Sequence, residues 1–205
     1  MPGPRGGGGI VKLFVGLGNP GDEYRLTRHN VGFLVAEELT RRHGAGATER
    51  RARSLVQWAR VDGKEVLVAR PQTWMNRSGE AVVALIQSVG ADPGDVLVAC
   101  DDLYLDFGSL RFRARGSDGG HNGLASVLEA VGTRDVPRLR IGVGPAVTGT
   151  THADFVLSPF GRDERAALAE VVERAAAGAA VALSDGIAVA MNRFNRRGGR
   201  PESGA

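Results

Sequence analysis

Cysteine is almost absent. Cys100 is the only one in 205 residues, which excludes an intrachain disulfide and a zinc finger. Lysine is nearly as scarce. Of 26 basic residues only Lys12 and Lys64 are lysines, so the chain meets anions with planar guanidinium forks rather than ammonium points. No run of residues approaches the ~20 apolar positions of a membrane span. No apolar signal core precedes Ile10, so a cytoplasmic protein without membrane attachment is expected. The nucleophile elbow G-x-S-x-G is missing, and with it the commonest serine-hydrolase signature. Net charge is also missing where it would matter. The formal +3 is accounted for by Arg5 ahead of the first apolar run and by Arg196, Arg197, Arg200 and Glu202 after the last. Residues 10–195 hold 22 bases against 22 acids. A uniformly basic nucleic-acid binder is therefore excluded, and any phosphate site must be a local patch.

What is present reads as one domain. The Gly-, Pro- and Arg-rich residues 1–9 and 196–205 are expected to be disordered tails around a body at about 10–195. A buried strand is predicted from Ile10 to Gly16, followed by a turn at Gly18-Asn19-Pro20-Gly21. Val31, Leu34, Val35 and Leu39 share one face of a helix from about Asn30 to His43. Ser54–Val61 and Glu65–Arg70 flank Asp62-Gly63, a hairpin signal. Ser78 opens a second helix that Gly90 closes, and Val96–Cys100 is a further apolar strand. Ser109–Arg113 alternates Leu110 and Phe112 with Arg111 and Arg113, as a half-exposed strand does. A helix around Leu124–Val131, a strand at Leu139–Val143, a long Ala-rich helix from Asp163 to Ser184 and a short one at Ile187–Phe194 complete the chain. Alternating strands and helices predict an α/β three-layer sandwich around a mixed, mostly parallel twisted sheet. No additional apolar surface helix is evident, so a monomer is expected.

Gly16-Leu17-Gly18-Asn19-Pro20-Gly21 matches G-x-G-x-x-G and follows a strand. In a dinucleotide-binding unit the helix must begin inside that loop, with its N-terminus on the pyrophosphate. Here Asn-Pro-Gly forces a turn, the periodic stretch starts only near Val31, and Glu37 and Glu38 at the ribose distance lie inside the helix. Scarcity gives a better clue. The chain has six asparagines and four histidines, and two His-Asn pairs, His29-Asn30 and His121-Asn122, use much of that stock. Asn19 and Asn76 sit in the turns after Gly18 and Met75. Asparagine commonly serves turns and caps, yet Asn19, Asp101 and the loop to His121 all fall near the carboxyl ends of predicted strands, where open α/β sheets bind ligands. A neutral imidazole suits general-base work near pH 7. A carboxylate on its other nitrogen fixes the tautomer, and carboxamides hold water or a developing oxyanion. With Cys100 in a buried-looking strand, water is the simplest nucleophile. A metal site from His29, His121, Asp101 and Asp102 is conceivable, but no ligand-spacing motif supports one, and no cofactor is expected.

These residues carry a resemblance. Val15-Gly16-Leu17-Gly18-Asn19-Pro20-Gly21, then Tyr24, then Thr27-Arg28-His29-Asn30-Val31-Gly32, resembles the opening signature of bacterial-type peptidyl-tRNA hydrolases. Thr73-Trp74-Met75-Asn76-x-Ser78-Gly79, Asp101-Asp102-Leu103, Gly119-Gly120-His121-Asn122-Gly123-Leu124 and Arg138-Leu139-Arg140-Ile141-Gly142-Val143-Gly144 are similar to four further motifs, in the same order. The resemblance implies hydrolysis of the ester between a peptide and the terminal ribose of tRNA. It implies His29 as general base, Asp101 as its orienting carboxylate and Asn19 beside them. Tyr24, Met75, Asn76, His121 and Asn122 would then contact substrate. Arg111, Arg113, Arg115 and Arg140 would grip tRNA phosphates. The sequence departs from the family pattern at Trp74, Asp102, Tyr104, Asp106, Arg115 and Asp118, none of which removes a proposed catalytic group. Three other readings stay open: a non-catalytic RNA-binding module on the same fold, a nucleotide-cofactor oxidoreductase built on Gly16–Gly21, and a metal-dependent hydrolase.

Overall fold

The period-two strands and 3.6-period helices of the sequence assemble around a single sheet. The structure, a computed structural model, describes residues 11–146 and 149–195. The two expected tails lie outside the described residues, as does Ile10. In chain order the elements are β1 (Lys12–Gly16), α1 (Val31–His43), β2 (Glu49–Arg51), β3 (Ser54–Val61), β4 (Lys64–Pro71), α2 (Ser78–Val89), β5 (Val96–Asp106), β6 (Leu110–Arg113), α3 (Asn122–Val131), β7 (Arg138–Gly144), α4 (His152–Leu157), α5 (Arg162–Ser184) and α6 (Ile187–Phe194). Among the described residues the strand order is β2-β3-β4-β1-β5-β7-β6. The four central strands are mutually parallel, and antiparallel strands close both edges. This is the mixed α/β sandwich that the alternation of elements predicts.

The layers follow from strand alternation. In β1, Phe14 points to one face, into a core shared with Val35 and Leu39 of α1 and Ala175 and Ala179 of α5. Leu13 and Val15 point to the other, against Val82 and Leu85 of α2 and Leu124 and Val127 of α3. All of these side chains are buried. At ~25 cal/mol per Å² of apolar surface, each large one contributes on the order of 2 kcal/mol.

Three elements exceed the sequence reading. β5 does not stop at Cys100 but runs on through Asp101-Asp102 to Asp106, with a register irregularity against β7. β2 pairs with β3 through Glu49-Arg50-Arg51, a segment whose side chains are largely exposed and carry no apolar pattern. α4 has six residues, too few for a periodicity to stand out.

Candidate active site

The site forms where β1 ends and β5 continues. Gly16 pairs with Ala99, and the Leu17 amide donates to the Ala99 carbonyl at 2.9 Å. Asp101 therefore stands just beyond the carboxyl end of β1. The chain returns through a 3-10 turn, Arg28–Asn30, into α1. A Cβ on Gly16 would overlap the Gly32 carbonyl, and one on Gly32 would overlap backbone atoms of Leu17 and Ala99. Glycine at both positions lets the start of α1 lie directly on the strand ends, which brings His29 over Asp101. Gly18 lies against the Phe33 ring. The G-x-G spacing thus serves helix-on-strand packing, and α1 starts only at Val31, so no helix N-terminus opens inside the glycine loop to meet a pyrophosphate.

Asp101 is 3% exposed and receives two imidazoles on one oxygen. His29 Nδ1 lies 2.7 Å from Oδ1 and His121 Nε2 lies 3.0 Å from it. Burial pushes this carboxyl up, but the bonds and charges of His121 and His29 outweigh it and hold the group well below the usual aspartate range. A carboxylate only accepts, so both ring nitrogens facing it carry hydrogen. His121 confirms its own tautomer: its Nδ1 accepts the Leu124 amide at 3.1 Å, capping α3. For His29 the consequence is chemical. With Nδ1–H committed to Asp101, the neutral ring keeps its Nε2 lone pair free for a proton from elsewhere. The two rings lie 4.9 Å apart at 43°.

The scarce asparagines form a chain of staples. Asn30 Oδ1 accepts the Asn19 amide and Asn30 Nδ2 donates to the Asn19 carbonyl, both at 2.9 Å. Asn19 Oδ1 in turn accepts the Met75 amide at 2.8 Å. Asn30 ties the turn after β1 to the start of α1, and Asn19 ties that turn to the 3-10 turn Met75–Arg77. Sequence reasoning did not place Asn30 among the site residues. Its position beside His29 and the rarity of asparagine were the available signal.

His29, Asp101, His121, Asn122 and Arg140 share a cavity of about 230 Å³ with Tyr104 and His152. Asn76 is exposed on its turn, and Met75 is buried against Gly123 of α3. Tyr24 packs edge-on against Trp74, ring centroids 5.9 Å apart. Arg111 and Arg113 are exposed on β6, and Arg115 is exposed with Asp135 at 3.4 Å. Arg140 differs from them. It is 9% exposed, donating from Nη1 to Asp102 Oδ2 at 2.8 Å and from Nη2 to the Asp118 carbonyl. Asp118 also accepts the Gly120 amide at 2.8 Å, and Gly119, at φ +57°, leaves no room for a Cβ above Arg140. Arg140 is thus the post on which the glycine loop before α3 rests. Asp102 is occupied by Arg140 and by the Tyr104 amide. Cys100 is fully buried, with its thiol pushed up to about 12 by burial, so it offers no nucleophile.

Among the described residues, the one cluster with metal-ligand character is His29, Asp101 and His121. His121 has both nitrogens engaged and His29 has one. A cation would have to displace the hydrogen bonds that build the site.

Fold and site together define a class: an α/β protein with a buried carboxylate–imidazole pair opening onto a cleft, the equipment of a hydrolytic enzyme. The peptidyl-tRNA hydrolase family profile matches residues 13–202. Peptidyl-tRNA hydrolases of Desulforudis audaxviator and Chloroflexus aggregans are each 47% identical to this chain, over 185 and 184 residues. Those matches span 90% and 89% of this chain and 93% and 98% of the relatives. The crystal structure of peptidyl-tRNA hydrolase from Acinetobacter baumannii superposes with a TM-score of 0.84 at 30% identity, covering 92% of this chain and 97% of that one. The chain belongs to the peptidyl-tRNA hydrolase family.

Proposed function

We propose that the protein hydrolyses the ester between peptide and tRNA in peptidyl-tRNA with a water activated by His29, without a metal, returning tRNA from aborted translation. The observation that carries this reading is the pair of imidazoles on Asp101 Oδ1, which leaves His29 Nε2 as the free base at the cleft. His29 Nε2 takes a proton from water as the hydroxide oxygen attacks the ester carbonyl. Asp101 stabilises the imidazolium that forms. The imidazolium then returns its proton to the ribose oxygen as the carbon–oxygen bond breaks. Asn122, which shares the cavity, together with Asn19 and Asn76, supplies donors to substrate and oxyanion. Such a donor contributes on the order of 10²-fold in rate. Arg111, Arg113 and Arg115 contact phosphates of the acceptor stem.

The His29–Asp101–His121 cluster favours one second reading, a metal-assisted hydrolase. Peptide release from peptidyl-tRNA by chelator-treated enzyme separates the two. An undiminished rate supports the water-and-imidazole reading. A rate abolished by chelator and restored by a divalent cation would replace it.

A further inference from the structure

A second cavity, of about 470 Å³, lies at the edge of the sheet. It is lined by the end of β5 and the following turn, by Arg111 of β6, by Arg174 of α5 and by Arg193 at the end of α6. All three arginines are exposed, and none of them is in an ion pair among the described residues. Asp106 is the single carboxylate of the lining. Three guanidiniums against one carboxylate leave two net positive charges facing one concavity, in a body whose overall charge is zero.

The cavity is built rather than incidental. Asn195 Oδ1 accepts the Phe112 amide at 2.6 Å and Asn195 Nδ2 donates to the Phe112 carbonyl at 2.9 Å. One side chain thereby continues the ladder on the edge of β6 and fixes the end of α6 there, with Phe194 packed 5.9 Å from Phe112. Arg174 is held by a bond from Nη2 to the Gly108 carbonyl, which leaves its remaining donors for a ligand. Arg196 and Arg197 follow Asn195 directly in sequence. Tyr104, 68% exposed, lines both this cavity and the His29 cleft, so the two adjoin across one ring.

We infer that the Arg111–Arg174–Arg193 cavity is a phosphate subsite for the RNA strand of the substrate, lying across Tyr104 from the cleft. The inference rests on peptidyl-tRNA being the substrate. Planar forks with unspent donors match phosphate oxygens, and a polyanion whose end occupies the cleft is the ligand that such a neighbouring site would meet.

The test uses the full-length enzyme, the double variant Arg174→Ala/Arg193→Ala, and two substrates: peptidyl-tRNA and a peptidyl ester of adenosine alone. The expected result is a KM for peptidyl-tRNA raised about tenfold with kcat unchanged, and a salt dependence of KM shallower by ~1–2 in log–log slope. The adenosine ester should be cleaved as by wild type, and Arg174→Lys/Arg193→Lys should recover most of the affinity. An unchanged KM and salt slope would overturn the proposal. So would equal loss on both substrates, which would mean a disturbed cleft rather than a lost subsite. Failure of the wild-type enzyme to release peptide from peptidyl-tRNA would overturn the substrate reading itself, a result distinct from either.

Discussion

One oxygen atom organises the site. Asp101 Oδ1 accepts from His29 and His121 at once, and the second of these bonds is the less obvious. His121 spends Nδ1 on the Leu124 amide, so it meets Asp101 only as a donor and fixes the carboxylate rather than competing for a proton. Asp101→Asn keeps an oxygen for both rings and removes the charge that balances the imidazolium. The expected loss in kcat is about 10²–10⁴-fold. Single-turnover peptide release checks this, and a rate within about threefold of wild type would deny Asp101 its role. The His29–Asp101 pair was legible in the sequence, because a rare histidine and an acidic pair at a strand end suggest a base and its partner. His121 was legible only as a member of the site. Its capping bond depends on the conformation of the glycine loop, and spacing along the chain carries no signal for that. The supporting part of Arg140 was hidden for a similar reason. In sequence it alternates with Arg138 as a patch residue would, yet it lies buried beneath the loop it supports.

Among the elements, α4 packs Phe155 and Val156 into the core and is tied to the opening motif chiefly by Arg28. Arg28 is 8% exposed and donates from Nη1 to Ser158 Oγ at 2.7 Å and to the Pro159 carbonyl at 2.6 Å, and from Nη2 to Glu164 at 2.6 Å. Its guanidinium also lies over Phe155, 4.5 Å from the ring centroid. It joins the His29 turn to α4 and the start of α5, and α4 provides His152 and Val156 to the cleft wall. Arg28→Ala is expected to lower stability by about 1–3 kcal/mol, because the variant loses the charge-assisted bonds to Ser158, Pro159 and Glu164 and the packing on Phe155. KM should rise as the wall loosens. Urea unfolding and steady-state kinetics on one preparation check both, and unchanged stability would contradict the account. The central strands and long helices were readable from periodicity. α4 and the continuation of β5 were not. Six helical residues are too few to show a period, and Asp101-Asp102 interrupts the apolar run that marks β5, since there the strand turns from core to site.

For the molecule as a whole, an even charge balance in the body makes local carboxylate–arginine contacts the main source of acid sensitivity. Glu38 is held at about 2, against an ordinary 4.5, chiefly by its bond from Arg41, with burial opposing and Arg42 adding to the effect. Asp101 is depressed as well. A carboxyl lowered in the folded state contributes stability that is complete above its ordinary value and is lost as pH falls through its native one. The unfolding midpoint should therefore drop between pH 4.5 and about 2, and Glu38→Gln should flatten that drop. An identical pH dependence in the variant would remove Glu38 from the explanation. The central claim is narrower: a single imidazole, His29, moves the proton. Peptide release from peptidyl-tRNA by His29→Ala, measured beside its tRNA affinity, tests it most directly. The account predicts a rate lowered by about 10²-fold or more with tRNA binding preserved. Near wild-type release by His29→Ala would contradict it.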